Sequence, residues 1–521
     1  MREYNVILKR DVDYDGFWND IESDTDGGKL YIPNRRVEFT NERPASLRQC
    51  WYLLTDEEAE QLKLDDRVLD VEIPPEHRDD IVMMPRQIQY SDFTKTSSDT
   101  GAYVNWGLVR SNATTNVYST NTTTTENYTY SLAGKGVDVV IQDSGLQVDH
   151  PEFLDRNGNS RVQMINWPIA SGLSFTQDPL HYIDYDGHGT HVAGIAAGKT
   201  YGWAKEASIY SVKVSGLEGS GDTGGISTTY AFDCIKGWHN AKSGSRPTVV
   251  NMSWGYGTFY DSVSSVNYRG TSYTDSSTTS NASYRETTYG LMNKSGAYAG
   301  YNYVTNVRVS SVDVDVQELI DAGVIVCIAA GNRSFKVDTA SGTDYNNYVV
   351  SNTGTYYYHR GSSPYDDEAI VVGSLDSTVY DSSNDKKATY SECGPGVTIY
   401  APGTNIMSSC STTNAFSGEN YYLNSSYKQT NISGTSMASP QVCGIAALFL
   451  EAYPKSTPAK VKEALLASAG TAVYSSGLDN DWSSNISLKG GSAKVVYNRF
   501  NSIQTSKVSG LTITGLNFRV V

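Results

Sequence analysis

Three short polar clusters carry the residue types of a nucleophile, its general base and the group that orients that base. Asp143 follows the run Val137-Asp138-Val139-Val140-Ile141-Gln142 and precedes Ser144-Gly145. His188 lies in Asp186-Gly187-His188-Gly189-Thr190-His191-Val192-Ala193-Gly194, where small neighbours let another stretch of backbone approach closely. Ser436 lies in Ser433-Gly434-Thr435-Ser436-Met437-Ala438-Ser439-Pro440, ahead of an apolar, helix-like run through Ala452. A serine hydroxyl becomes a competent nucleophile when an imidazole takes its proton and a carboxylate fixes the imidazole tautomer. Each residue alone has an ordinary reading. An Asp before Ser-Gly forms turns, a His or Ser at a helix start is unremarked, and Asn332 after Gly331 is a turn residue. Their joint order and context point to acyl transfer. His191, three positions along the same predicted helix as His188, reads instead as a packed structural histidine.

The elements that must hold these groups are legible around them. After Gly134 short apolar runs recur at Val137–Ile141, Ile209–Val214, Val249–Met252, Val324–Ala329, Ile370–Val372 and Val397–Tyr400. Amphipathic stretches such as Ile226–Trp238 and Val316–Ala322 separate them. Strands that are apolar throughout and alternate with helices predict an α/β fold with a central parallel sheet covered on both faces. In such a sheet, ligands bind beyond the carboxyl ends of the strands, which is where Asp143 and Asn332 fall. Two Ser/Thr/Tyr/Asn-rich stretches, about 258–306 and 334–364, break the rhythm. They read as surface insertions, because they lack the apolar periodicity of a core.

The first 87 residues hold 12 basic and 21 acidic side chains, a net of −9 out of −16 for all 521 residues. They predict a small independent α/β unit: a strand at Tyr4–Leu8, a helix opened by a capping box at Thr55–Glu58, and a strand at Val68–Ile73. From about Arg86 to Ser131 the chain turns polar and reads as a linker leading into the second unit. The expected division is 1–90, a polar linker together with the start of the mature second unit at 91–133, a main domain at 134–503, and a strand-like tail at 504–521. The acidic balance argues against a nucleic-acid partner, since phosphate binding draws on Lys and Arg. No run of about 18 apolar residues is present, so no membrane span is expected. The start, Met1-Arg2-Glu3-Tyr4, carries no apolar stretch of the kind a signal peptide needs. Release by lysis, incorporation in a virion and an intracellular role are all compatible with this. Cys50, Cys234, Cys327, Cys393, Cys410 and Cys443 form no CxxC pair, and Cys327 and Cys443 read as buried thiols.

Chain order separates the known serine-nucleophile solutions. An α/β-hydrolase needs its His after its Ser, yet the last histidine, His359, precedes Ser436. The chymotrypsin order puts His before Asp, and its Gly-Asp-Ser-Gly-Gly motif is absent. Asp143, His188 and Ser436 follow the subtilisin order. The three segments resemble the signature motifs of the subtilisin-like serine proteases, and Lys199-Thr200-Tyr201-Gly202-Trp203-Ala204-Lys205 through Val214 resembles the proteinase K branch.

The resemblance implies a three-layer subtilisin-like fold with Asn332 as oxyanion donor alongside the Ser436 backbone. Ser253-Trp254-Gly255 is implied as the specificity-pocket strand, and Gly219-Ser220-Gly221 as the edge that pairs with an extended peptide. Residues 1 to about 90 are implied to be an inhibitor-type propeptide, self-cleaved between about Ile81 and Ser97. The substrates would be proteins or peptides, and the chemistry needs no cofactor or metal. The short connection after Gly198 leaves no room for the calcium loop of the subtilisin branch; calcium elsewhere has no assigned position. Gln441 stands where the family often has His. Two other readings remain at this stage: an inactive scaffold kept for binding or structure, and a serine esterase.

Overall fold

The structure is a computed structural model of the chain and describes residues 1–9, 11–22, 37, 39–42, 48–74, 105–113, 130–215, 217, 223–293, 302–381, 384–501, 506–508 and 511–513. The chain forms two units, one of residues 1–84 with 503–521 and one of residues 85–502.

In the first unit, β1 (Arg2–Leu8), α1 (Tyr14–Glu22), β2 (Phe39–Glu42), β3 (Gln49–Leu54), α2 (Asp56–Leu62) and β4 (Val68–Glu72) follow one another. The strands make an antiparallel sheet in the order β2-β3-β1-β4. Val6, Leu8, Phe17, Tyr52, Leu54, Leu62 and Val71 close its core. The expected capping box is present: Thr55 Oγ accepts from Glu58 N at 3.3 Å, and Glu58 Oε2 accepts from Thr55 N at 2.8 Å.

The first described element of the second unit is α3 (Gly107–Arg110), which lies in the stretch expected to hold the linker and the start of the mature second unit. Trp106, Leu108 and Val109 are buried in the main core, and Arg110, 1% exposed, pairs with buried Asp385. The elements then run β5 (Asp138–Asp143), α4 (Trp167–Ser171), α5 (His188–Ala197), β6 (Ser208–Lys213), α6 (Thr228–Ala241) and β7 (Thr248–Met252). Next come β8 (Gly257–Tyr260), β9 (Ser265–Tyr268), β10 (Thr271–Tyr273), α7 (Ser276–Ser280), α8 (Ala282–Tyr289) and β11 (Tyr303–Asn306). They are followed by α9 (Ser310–Asp321), β12 (Ile325–Ala329), β13 (Tyr348–Val350), β14 (Thr355–Tyr357), β15 (Ile370–Val379), β16 (Asp385–Lys387) and β17 (Ile399–Pro402). The last elements of this unit are β18 (Ile406–Cys410), β19 (Glu419–Tyr421), β20 (Asn424–Ile432), α10 (Thr435–Ala452) and α11 (Pro458–Ser468). The tail strands β21 (Ser506–Val508) and β22 (Leu511–Ile513) form a two-stranded antiparallel pair.

A seven-stranded sheet runs β16-β15-β12-β7-β5-β6, with β17 also on β15. All its pairings are parallel except β15 with β16. Successive residues of β5 serve opposite layers. Val139 and Ile141 pack with Val192 and Ile195 of α5 and Val442 and Ile445 of α10. Val140 packs with Phe232, Ile235 and Trp238 of α6 and Val316 and Leu319 of α9. That alternation explains why these strands are apolar on both faces. The α/β three-layer expectation holds.

The two insertions are not coreless. Strands from both join in one antiparallel sheet, β10-β9-β13-β14. Beneath it Tyr260, Val266, Tyr289, Tyr303, Val349 and Tyr358 form a separate core. Tyr260 stacks on Tyr303 at 5.2 Å and on Tyr356 at 5.4 Å between ring centroids. Tyrosine buries a large apolar ring while scoring as polar, so a hydropathy pattern passes over such a core.

Candidate active site

Parallel neighbours end at the same edge of the sheet, and the polar groups converge there. Gln142 of β5 pairs with Met252 of β7, so the next residues, Asp143 and Ser253, leave side by side. Ile328 of β12 pairs with Met252 on the other side of β7, which brings Ala329–Asn332 to the same edge.

Asp143 is 1% exposed, and its Oδ1 accepts from Ser144 N and from His188 Nδ1, both at 2.8 Å. An Nδ1–H donated to the carboxylate leaves Nε2 as the proton acceptor. The imidazole is placed by the entry to α5. Gly187, at φ +92°, precedes it, and a Cβ there would lie 2.7 Å from Cys410 Sγ. A Cβ on Gly189 would lie 2.2 Å from the Gly145 carbonyl. Buried Asp184 accepts from Gly187 N, Thr190 N and Ser144 Oγ at 2.8–2.9 Å, capping the open N–H groups of the helix start. Sequence reasoning missed Asp184, whose signal was an acidic residue just ahead of the helix.

Burial alone would lower the His188 pKa, but the Asp143 carboxylate, with Asp186 and Asp184 behind it, raises it to about 9. His188 must be neutral to accept a proton. We therefore expect kcat/KM to fall about tenfold per pH unit below about pH 9. Asp186→Asn removes one negative neighbour and should move that limb to lower pH. A limb at the ordinary histidine value in wild type, unmoved by the variant, would refute the assignment. His191 is the contrast: its Nε2 lies 3.0 Å from the carbonyls of Ile406 and Thr430, and burial lowers its pKa to about 3.

Ser436 is the second residue of α10. Its Oγ donates to the Ser253 carbonyl at 3.1 Å, and Ser253 Oγ donates to the Ser436 carbonyl at 3.0 Å. Asn251 and Ser439 extend this seam between β7 and α10. The structure thus joins Asp143 to His188, and Ser436 to the strand beside Asp143. No hydrogen bond joins Ser436 Oγ to His188 in this resting arrangement, in which the hydroxyl turns to Ser253.

Asn332 Oδ1 accepts from Thr435 N at 2.8 Å and Thr435 Oγ1 at 2.9 Å, and Thr435 Oγ1 also takes the Gly331 N–H at 3.1 Å. With the amide oxygen committed, Nδ2 faces the Gly434 turn, 3.3 Å from where a Cβ on Gly434 would sit. Thr435 was quoted in the serine motif without a role; it orients the Asn332 amide.

Ser253 is buried, and Trp254 packs on Phe232 and Tyr256. Ser362, from the second insertion, accepts from Tyr256 N at 2.7 Å, and a Cβ on Gly255 would lie 2.6 Å from its Oγ. The insertion therefore presses on the implied specificity strand, a contact no local pattern announces. Gly219, Ser220, Gly221 and the expected self-cleavage window lie outside the described residues. Gln441 is buried and bonded to Trp203 and Asn105. None of the six cysteines is joined in a disulfide among the described residues. Among the described residues no cluster of three or more His, Cys, Asp or Glu is placed to hold a metal, and no helix is long and apolar enough to cross a membrane.

A model of the subtilase family matches residues 134–501. The chain is similar to an extracellular serine proteinase of Thermus sp. strain Rt41A, with 28% identity over 422 residues, covering 81% of this chain and 71% of that protein. It is also similar to alkaline serine exoprotease A of Vibrio alginolyticus, at 27% identity over 70% of this chain and 47% of that protein. Thus the chain spans less than half the length of the second relative. Among solved structures, a cold-adapted subtilisin-like serine proteinase aligns over 76% of this chain and 99% of its own, at 23% identity and a TM-score of 0.46.

Proposed function

The chain belongs to the subtilase family and is by that membership a serine-type peptidase, and from this we propose that it is an endopeptidase working through Asp143, His188 and Ser436. Ser436 Oγ attacks the peptide carbonyl while His188 Nε2 takes its proton. Asp143 holds the imidazole and stabilises the cation that forms. The developing oxyanion receives the Asn332 amide and the Ser436 backbone N–H at the start of α10. His188 then returns the proton to the leaving amine, and water repeats the sequence on the acyl-enzyme. Substrate backbone would lie as an added strand along Gly219–Gly221 and Ser253–Gly255, a mode that favours main-chain recognition. Residues 1 to about 90 serve as an intramolecular inhibitor, removed by self-cleavage between about Ile81 and Ser97. The reaction requires no cofactor.

The 2.8 Å bond between His188 and a buried carboxylate, at the sheet edge that also carries Ser436 and an oriented Asn332, supports this reading most. A serine-directed fluorophosphonate should modify Ser436 and abolish peptidase activity. Mass spectrometry of the same sample should show a product lacking about 90 N-terminal residues, a tethered cleavage whose rate is independent of protein concentration. An adduct on another serine with activity retained, or a fully active protein that stays uncut, would sink the respective half of the proposal. Parallel assays on peptide and simple ester substrates separate a peptidase from an esterase.

A further inference from the structure

A polar cavity of about 340 Å³ lies apart from the residues assigned above, with Glu286, Ser334, Tyr390, Trp482, Ser484 and Lys489 in its walls. Its size is at the low end of small-molecule sites, roughly 300–1,000 Å³. Four separate segments build it: the insertion helix α8, the exit of β12 past Asn332, the stretch after β16 that carries Tyr390, and the loop that follows α11.

Its wall contains a buried cation without a counter-charge. Lys489 is 1% exposed. Its Nζ donates to the Ser484 carbonyl at 3.2 Å and lies 3.9 Å from Cys393 Sγ. It belongs to none of the ion pairs formed among the described residues, whereas buried Lys336 pairs with Asp344 at 2.8 Å and Lys242 with Asp138 at 2.8 Å. An ammonium has three N–H donors, and one carbonyl and one thiol are thin compensation for removing its charge from water. Because Ser484 also lines the cavity, the Lys489–Ser484 bond lies at its wall. Glu286 supplies a carboxylate elsewhere on that wall, beyond ion-pair reach of Lys489. A ligand that satisfies both walls carries an anion and a cation.

The cavity is tied to the catalytic edge. Ser334 is two residues past Asn332. Tyr390 OH donates to the Gly403 carbonyl at 3.0 Å, which also accepts from Gly434 N at 2.8 Å, just ahead of Ser436. In the sheet, β12 separates β15 from β7, so a site reached through Ser334 and Tyr390 lies across Asn332 from Ser253–Gly255. If the acyl half of a substrate lies along Ser253–Gly255 and the leaving half runs on past Asn332, that half extends towards the cavity. Hydrolysis hands that leaving amine the proton carried by His188 and releases it neutral; a second proton from water makes it an ammonium at neutral pH, so the released fragment has an ammonium at its new end and a carboxylate at its old one.

We propose that this cavity binds the zwitterionic form of a short peptide of roughly two residues, carboxylate at Lys489 and ammonium at Glu286, as the leaving-side product of a cut made close to a substrate's C-terminus. Only its identity as product rests on the function proposed above; the binding does not. The test is calorimetric titration of full-length Ser436→Ala protein with glycylglycine, N-acetyl-glycylglycine and glycylglycinamide. Glycylglycine should bind at least about tenfold more tightly than either capped form, the gap expected for one lost charge-assisted contact. Lys489→Met should erase the penalty for amidation alone, and Glu286→Gln the penalty for acetylation alone. If Lys489→Met fails to fold, the capping series and Glu286→Gln still decide. Equal affinities, or no binding at millimolar concentration, overturn the site. In wild type, glycylglycine should inhibit peptide hydrolysis over its binding range; binding without inhibition overturns the product assignment. Failure of Ser436 to take the phosphonate would overturn the catalytic reading and leave these titrations standing.

Discussion

Replacing Ser436 by alanine is expected to lower kcat by on the order of 10⁶-fold, the size known for loss of the nucleophile in subtilisin's own triad, with the fold intact. In this structure the hydroxyl makes one hydrogen bond, to the Ser253 carbonyl. Its loss costs about 1 kcal/mol, and alanine in the first turn of α10 gives part of that back through helix propensity. The seam between α10 and β7 survives, because Ser253 Oγ bonds the backbone carbonyl of residue 436 and not its side chain. Activity has no such reserve. Without Oγ there is no acyl-enzyme, and only binding and oxyanion stabilisation remain, worth roughly 10³–10⁴ over water. His188→Ala should fall to a similar level, and the double variant barely lower, because the pair acts as a unit. Thermal unfolding together with initial rates on one peptide substrate checks this. A variant that keeps its melting temperature and more than about 1% of wild-type kcat would remove Ser436 from the mechanism. The same variant should also remain at full length, since the proposed self-cleavage would use the same hydroxyl.

The candidate site was legible in outline because each part has a local signature. Val137–Ile141 is apolar without alternation, and Val139 and Val140 indeed face opposite helical layers. Gly187 and Gly189 stand where a side chain would strike Cys410 or the Gly145 carbonyl, so the glycines around His188 record tertiary crowding in the sequence itself. The capping box at Thr55 is likewise written in four consecutive residues. What escaped has no local record. Much of the insertion core is made of rings that carry hydroxyls, so Tyr260, Tyr303 and Tyr356 read as polar surface. The docked segment Asn105–Ala113 is too short to show a period, yet it buries Trp106 and Arg110. The contact of Ser362 with Tyr256 spans 106 residues, and the isolation of Lys489 is a property of its surroundings alone. Even within the site, the motif named Ser436 without revealing that its hydroxyl rests on Ser253 rather than on His188.

Asn332→Ala is expected to lower kcat by about 100- to 1,000-fold, roughly 3–4 kcal/mol of transition-state stabilisation, with KM little changed; the magnitude is that of the corresponding donor in subtilisin. The geometry explains the separation of the two constants. The amide oxygen is held by Thr435 N and Oγ1, so Nδ2 is aimed before substrate arrives and loses no orientational freedom during reaction. A neutral peptide carbonyl gains little from that donor, whereas the tetrahedral oxyanion gains a charge-assisted bond, so the interaction is made mainly in the transition state. Alanine removes the acceptor of Thr435 as well as the donor. Because residue 332 is exposed, water can take over the Thr435 contacts at small cost to the fold. Asn332→Asp discriminates further. It keeps an oxygen for Thr435 but puts a second oxygen, on a charged group, where Nδ2 stood, so it should be slower than the alanine variant. Thr435→Val keeps Nδ2 and removes one of the two bonds that aim it, and should show a smaller loss, again in kcat rather than KM. A drop below about threefold for alanine, or an aspartate variant as active as asparagine, would mean that the oxyanion is held by groups other than Asn332.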